Sequence, residues 1–269
     1  FDFLIVDDHS TDDSLAYLQN LKDPRIRLLS STGKGQTAAL NQGLKQTHAA
    51  WIARMDGDDW SAPTRLEEQW HLVKQHPQAV FVSTDYMLCD EALKPVASMN
   101  LKTDDPGFLN YFHKRQNPFC HSTMMFRRDA AHEAGNYSET MKTAQDYALW
   151  MTLLERGSFC HVPKVLLKYR VRRDAVSIVR FTEQNNNRRH VLGQKIAAPT
   201  AFSVGRHGMY AYRLGFGAWI GGDHLTTMRY MAQALLFRAR MGRALAILMF
   251  AFLPRRLYLH LTGYDHVFR

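Results

Sequence analysis

The chain has 269 residues, 46% hydrophobic and 12% aromatic, enough for one large domain or a domain with an appendage. Cys89, Cys120 and Cys160 lie far apart with no Cys-x-x-Cys pair, which excludes a disulfide framework or a zinc site and fits buried thiols in a reducing compartment. The net charge of +9 is uneven: residues 1–179 carry 21 Lys and Arg against 22 Asp and Glu, residues 180–269 carry 13 against 3, so the last third is expected to do a different job.

Phe1–Val6 reads as a strand that ends at Asp7-Asp8. No leader precedes it, so the chain is expected to start inside a domain whose earlier strand is missing. Ser10 is placed to cap a helix with Leu15, Leu18 and Leu21 facing inward. Arg25–Leu29 alternates as a short strand, and Gly33-Lys34-Gly35 leads into a helix through Ala38 and Leu44. That glycine pair matches neither a Walker A loop nor a dinucleotide fingerprint; it reads as an ordinary turn or as a loop with Lys34 beside a diphosphate.

The run Ala50–Met55 alternates as a strand and ends in Asp56-Gly57-Asp58-Asp59, three carboxylates within four residues. Read alone, this is a solvated turn or a cation site, because so much unpaired charge at a sheet edge is costly. Hard oxygen ligands favour Mg²⁺ or Mn²⁺ with substrate phosphates. An EF-hand is excluded, since Trp60 and Ser61 stand where a ligand and the turn glycine belong.

Ser61 and Pro63 are expected to open a helix to about His76, and Ala79–Ser83 to form the next strand. Alternating strands and helices argue for an α/β sheet that is largely parallel, with ligands at the carboxyl ends of its strands. Asp7-Asp8 and Asp56–Asp59 both fall at such ends. Asp104–Gly107 reads as a turn before a helix at Phe108–Lys114, Ser122–Phe126 as a strand, and Arg128–Ala134 as a helix stopped by Gly135. The final helix of this part starts at Gln145-Asp146 and stops at Gly157. Asp146 at its start is a helix cap or a general base facing the acidic loop.

Taken together, Val6–Asp12, Gly35 with Ala39–Gly43, Ala53–Asp59, His121–Thr123 with Phe126-Arg127, and Gln145–Trp150 resemble the family-2 glycosyltransferases of bacterial cell-surface polysaccharide synthesis. The resemblance spans roughly residues 3–177. It implies an inverting, metal-dependent enzyme with a Rossmann-like GT-A fold and flanking helices, taking one sugar from a nucleoside diphosphate, uridine most of all, to an acceptor hydroxyl. By position it implies that Asp8 meets the nucleotide base, Asp56 the ribose and metal surroundings, Asp58 the Mg²⁺ or Mn²⁺ ion, and Asp146 the acceptor proton. His121 and Trp150 would shape the acceptor side, with a hydrogen-bonded structural role for His121 equally open. His9 stands where the family has Gly, a substitution that histidine's tolerance of left-handed backbone allows. Gln145 replaces a common Glu, which removes a like charge beside Asp146. The Gln-x-x-Arg-Trp motif of processive members is absent, so transfer of a single sugar is expected.

The expected division is a glycosyltransferase domain at 1–179 and a basic, amphipathic helical extension at 180–269. Met228, Met231, Leu235 and Leu236 would share one helix face. Ala244–Leu253 is apolar but ten residues long, short of the ~20 a membrane-spanning helix needs. The extension therefore reads as packed on the domain, or as resting on anionic lipid at the cytoplasmic face of the inner membrane, which would suit a glycan or lipid-linked acceptor. Nucleic acid is not an expected partner. Two rival readings are a haloacid-dehalogenase-like phosphatase with Asp56 as nucleophile, and an inactive membrane-associated scaffold that binds the nucleotide without turnover.

Overall fold

The computed structural model describes residues 1–101, 103, 117–172, 181–191, 227, 228, 231 and 232. β1 (Phe3–Asp7) and β2 (Ile26–Ser30) pair in parallel through α1 (Ser14–Gln19), with Phe3 opposite Ile26 and Asp7 opposite Ser30. Leu15, Leu18 and Leu21 are the partly buried stripe expected of this segment, but Asp13 rather than Ser10 occupies the cap position. α2 (Gln36–Gln46) returns over β1, where Gly43 lies against Val6.

The larger sheet has six strands: β3 (Trp51–Ala53), β4 (Trp60–Ser61), β5 (Ala79–Cys89), β6 (Pro95–Met99), β7 (Met125–Arg127) and β8 (Ser158–Arg170). Its path is β3-β7-β5-β8-β4, with β6 on β5. The expectation of a largely parallel sheet needs correcting here. β5 and β8 are parallel, as are β1 and β2, but β3/β7, β5/β7, β4/β8 and β5/β6 are antiparallel. Strands that periodicity did not reveal, β4, β6 and the 13-residue β8, take part in two of those antiparallel pairings, β4/β8 and β5/β6.

α3 (Arg65–Gln75), α4 (Arg128–Glu133), α5 (Gln145–Leu154) and α6 (Phe181–Val191) complete the described elements. Ser61 joins β4 instead of opening α3, because its strand pairs with Leu167. α5 ends at Leu154; Gly157 follows where a Cβ would stand 2.6 Å from the Gln78 carbonyl, so the glycine permits β8 to start hard against β5.

Phe81 of β5 is the centre of the core. Its ring meets Phe119 edge-on at 5.5 Å, stacks on Phe159 at 5.5 Å and tilts against Trp150 at 5.7 Å. Packed around it are Met124, Phe126, Tyr147, Leu149 and Leu153, so α5 carries its apolar side directly onto β5 and β7. Cys89 and Cys120 are buried and Cys160 is partly so; all three are free thiols. α6 packs against the segment that leads into α5, since Asn187 donates to the Thr143 carbonyl at 3.0 Å. Met231 is buried and Met228 exposed. The expected turn and helix at 104–114, and the rest of the 180–269 extension with its apolar run, lie outside the described residues. No helix among the described residues is long and apolar enough to cross a membrane.

Candidate active site

The N-terminus of α2 brings distant parts of the chain together. Gly35, at φ 95°, occupies its cap position, a backbone state for which glycine has no steric penalty. Its N–H donates to both oxygens of Asp8 at 3.1 and 3.0 Å, so the carboxylate at the end of β1 caps α2 from outside. His9 adopts the left-handed conformation at φ 59°, and its Nε2 lies 3.2 Å from the Gly33 carbonyl. The turn expected of glycine therefore forms with histidine. Lys34 is exposed on this loop.

The next residue, Gln36, reaches in two directions. Its Nε2 donates to Asp56 Oδ1 at 3.2 Å, and its Oε1 accepts from Gln145 Nε2 at 2.9 Å. Asp8, Asp56 and the residue before Asp146 are thus joined through two consecutive positions of one helix end. These three segments are separated by up to 138 positions in sequence, from 8 to 146.

Asp56 is held from two sides. Arg54, 6% exposed, forms an ion pair with both of its oxygens. Ser122, fully buried, accepts the Asp56 backbone N–H at 3.0 Å and donates to Asp56 Oδ2 at 3.1 Å. Beneath them the buried Arg65 donates to the Ser122 carbonyl at 2.9 Å, and burial pulls its guanidinium down to about 10. A guanidinium removed from water is tolerable here because its donors meet carbonyls and a hydroxyl.

Asp56, Asp58 and Asp59 each place an oxygen within 4.8 Å of the others. Asp58 is exposed, whereas Asp59 is 8% exposed and accepts the Arg170 N–H at 2.9 Å through Oδ1 alone. Its Oδ2 is buried without a hydrogen-bond donor. Burial pushes the Asp59 carboxyl up to about 6, and the negative charges of Asp56 and Asp58 push the same way. An orphaned carboxylate oxygen beside two further carboxylates fits a divalent cation, which satisfies that oxygen and offsets the repulsion.

Asp146 lies in the first turn of α5. Ala144, at φ 61°, precedes that turn in the left-handed region, a strain of about 1 kcal/mol or more for a residue with a Cβ. It is held there by near-complete burial. Asn117 Nδ2 donates to Asp146 Oδ2 at 2.7 Å, fixing the carboxylate's orientation. Burial holds the carboxyl above the usual range, and the Arg188 guanidinium of α6 opposes that rise.

Trp150 departs from the acceptor-side expectation, and His121 takes the hydrogen-bonded structural role that was left open for it. His121 Nε2 pairs with the Tyr137 hydroxyl at 2.8 Å, its ring meets Trp150 edge-on at 5.8 Å, and burial holds its pKa well below the ordinary value. It is a neutral, hydrogen-bonded imidazole. Trp150 is fully buried among Phe81, Phe126 and His121, so it has no face to offer an acceptor and supports the site from beneath. Arg54, Gln36, Ser122, Asn117 and Arg188 were not singled out from sequence. One signal was available: an arginine within an apolar strand-like run, Ala50–Met55, needs a buried partner.

A mixed α/β fold thus gathers Asp8, the acidic loop Asp56–Asp59 and the start of α5 with its buried Asp146 around one helix end, the arrangement expected of a GT-A glycosyltransferase. A family model described as glycosyl transferase family 2 matches residues 1–135. The protein named as glycosyltransferase EpsE in Bacillus subtilis is 31% identical over 195 residues, 70% of this chain and 68% of that protein. The Escherichia coli protein UDP-Glc:alpha-D-GlcNAc-diphosphoundecaprenol beta-1,3-glucosyltransferase WfaP is 27% identical over 184 residues, 68% of this chain and 70% of that one. A solved structure of the mannosyltransferase PcManGT from Pyrobaculum calidifontis, in complex with GDP-Man and Mn²⁺, shares the fold with a TM-score of 0.54 at 18% identity, covering 98% of this chain and 75% of that one. The chain belongs to glycosyl transferase family 2 and is a glycosyltransferase with the GT-A fold. The phosphatase reading of the acidic loop falls with that membership.

Proposed function

We propose that the chain transfers one sugar, with inversion, from a uridine diphosphate sugar to a hydroxyl of a glycan or lipid-linked acceptor in bacterial cell-surface polysaccharide synthesis. The observation that carries this reading is the α2 hub, where Gly35 holds Asp8 and Gln36 joins Asp56 to Gln145 beside Asp146. WfaP, named for UDP-Glc and a diphosphoundecaprenol-linked acceptor, supports uridine and a lipid-linked acceptor.

Asp146 takes the proton of the acceptor hydroxyl as its oxygen bonds to the anomeric carbon and the bond to the diphosphate breaks on the opposite face. One base and one displacement give inversion. Burial makes this carboxylate a stronger base than a surface acid, Arg188 opposes that rise, and Asn117 aims it. Asp8 meets the base of the nucleotide, and Asp56, clamped by Arg54 and Ser122, meets the ribose. Lys34, on the exposed loop, reaches the diphosphate. Mg²⁺ or Mn²⁺ held by Asp58, with Asp56 and Asp59 completing its carboxylate surroundings, would neutralise the departing diphosphate. The positive excess of residues 180–269 supports a seat on anionic lipid at the cytoplasmic face of the inner membrane.

The test separates binding from transfer. Asp146→Ala should keep donor binding by calorimetry while transfer falls by about 10²–10⁴-fold. Asp58→Ala should abolish the response to Mn²⁺. Normal transfer by Asp146→Ala, or by wild type in excess chelator, would sink the respective role. Removal of 238–269 should release the protein from phosphatidylglycerol vesicles; retention refutes the membrane seat.

A further inference from the structure

β3, β7 and α3 each have one end at the acidic loop and the other at a separate cleft. β3 runs from Trp51 toward Arg54, antiparallel β7 runs from near Ser122 to Arg127, and α3 runs from the buried Arg65 to Lys74. Where they diverge is a cavity of about 400 Å³, within the range of small-ligand sites. Trp51 and Asp56 are five residues apart, so at most about 18 Å of chain separates the two ends.

The cavity has aromatic and apolar walls with a cationic rim. Trp51 is partly buried, Trp70 is 48% exposed, and Val73 and Pro77 lie with them. Lys74, Arg127 and Arg128 line it together with one carboxylate, Asp129. Asp129 is already taken, accepting from Arg127 Nε at 3.0 Å and from a second guanidinium nitrogen. Among the described residues no carboxylate pairs with Lys74 or Arg128, and Arg128 Nε is buried without an acceptor. That unmade donor costs about 1–3 kcal/mol, and the partly exposed Arg128 brings its positive charge to the wall of the cleft.

We propose that this cleft binds an acidic sugar unit of a glycan, its ring face on the indoles and its carboxylate or phosphate on Arg128 and Lys74. An exposed indole offers a flat apolar face, and a guanidinium takes a carboxylate in two parallel hydrogen bonds. The chain's own basic extension is the wrong sign for this rim, with 13 Lys and Arg against 3 Asp and Glu. A neutral glycan leaves the cations unanswered. The proposal rests on the reading above only in taking the polymer being built as the source of the sugar; it supplies a holding site for that polymer away from the transfer chemistry.

Tryptophan fluorescence of the full chain is titrated with a glucuronate-containing tetrasaccharide, a neutral glucose tetrasaccharide and phosphatidylglycerol vesicles. The acidic tetrasaccharide should quench with a Kd at least tenfold below that of the neutral one, and binding should weaken with salt. Trp70→Ala and Arg128→Gln should each raise that Kd at least tenfold, with thermal unfolding monitored alongside. Lys74→Gln, at an exposed position, replaces Arg128→Gln if the latter fails to fold. Equal affinity for both tetrasaccharides, wild-type affinity in the variants, or binding to vesicles alone overturns the proposal. Asp58→Ala keeps the two readings apart: it should remove transfer and leave tetrasaccharide binding intact. If Asp58→Ala transfers normally, the active-site reading fails while the cleft stands.

Discussion

Ser122→Ala offers a direct measure of how the acidic loop is held. The hydroxyl accepts the Asp56 N–H at 3.0 Å and Arg54 Nη1 at 3.2 Å, and donates to Asp56 Oδ2 at 3.1 Å. Arg54 and Asp56 still have each other in the variant, so the stranded group is the Asp56 N–H, in a partly buried setting. Leaving one such donor unmade costs about 1–2 kcal/mol. At roughly 2–4 °C per kcal/mol for chains of about this length, calorimetry should show Tm lower by ~2–8 °C. The second effect falls on the cation: partners behind a ligand are typically worth about 10–100-fold in metal affinity. Transfer assayed against Mn²⁺ should therefore show half-saturation moved up by that factor, with kcat near wild type at saturating Mn²⁺. If both Tm and the Mn²⁺ dependence match wild type, Ser122 does not hold the loop, and the hydrogen-bond account of Asp56 is wrong.

Asp59 predicts a pH effect with a definite sign. Its folded-state pKa of about 6 lies above the unfolded 3.8, so the folded metal-free protein binds more protons between those values and loses stability as pH rises through 6. About two units correspond to roughly 3 kcal/mol; Asp59→Asn should flatten that slope in denaturant titrations, and Mn²⁺ binding by calorimetry should tighten from pH 5 to 7 in wild type alone. Arg188→Gln removes the group opposing the raised Asp146 pKa, so the acid limb of the kcat/KM profile should move to higher pH; an unmoved limb argues against Asp146 as the base. Phe81→Ala, at a fully buried ring in contact with three others, should cost about 3–5 kcal/mol by chemical denaturation. A loss under 1 kcal/mol would show that the core is organised elsewhere.

Local pattern determined a good deal of this protein. Short-range periodicity marked β1, β2, α2, β3 and α5, because a strand or helix with one buried face repeats its apolar residues every two or every three to four positions. The acidic residues at strand ends, and the order of the motifs, pointed to a glycosyltransferase from the chain alone. What periodicity left unread was β6, a local hairpin on the end of β5, and β4 and β8, whose partners lie far away in sequence; β8 follows β5 through shifts of register that no local pattern encodes. β4 and β6, together with β7 running antiparallel between β3 and β5, turned the expected parallel sheet into a mixed one.

Only the tertiary structure decided how the acids are used. Asp8, Asp56 and Asp146 look equivalent as letters, yet one is bound by a helix-end N–H, one is clamped by Arg54, and one is buried under the influence of Arg188. Trp150 read as an acceptor group until packing placed it in the core, and of the two roles open to His121 its pairing with Tyr137 selected the structural one. A side chain's charge and reach are fixed by its own chemistry. Its exposure, hydrogen-bond partners and proton affinity depend on neighbours that arrive from other parts of the chain on folding.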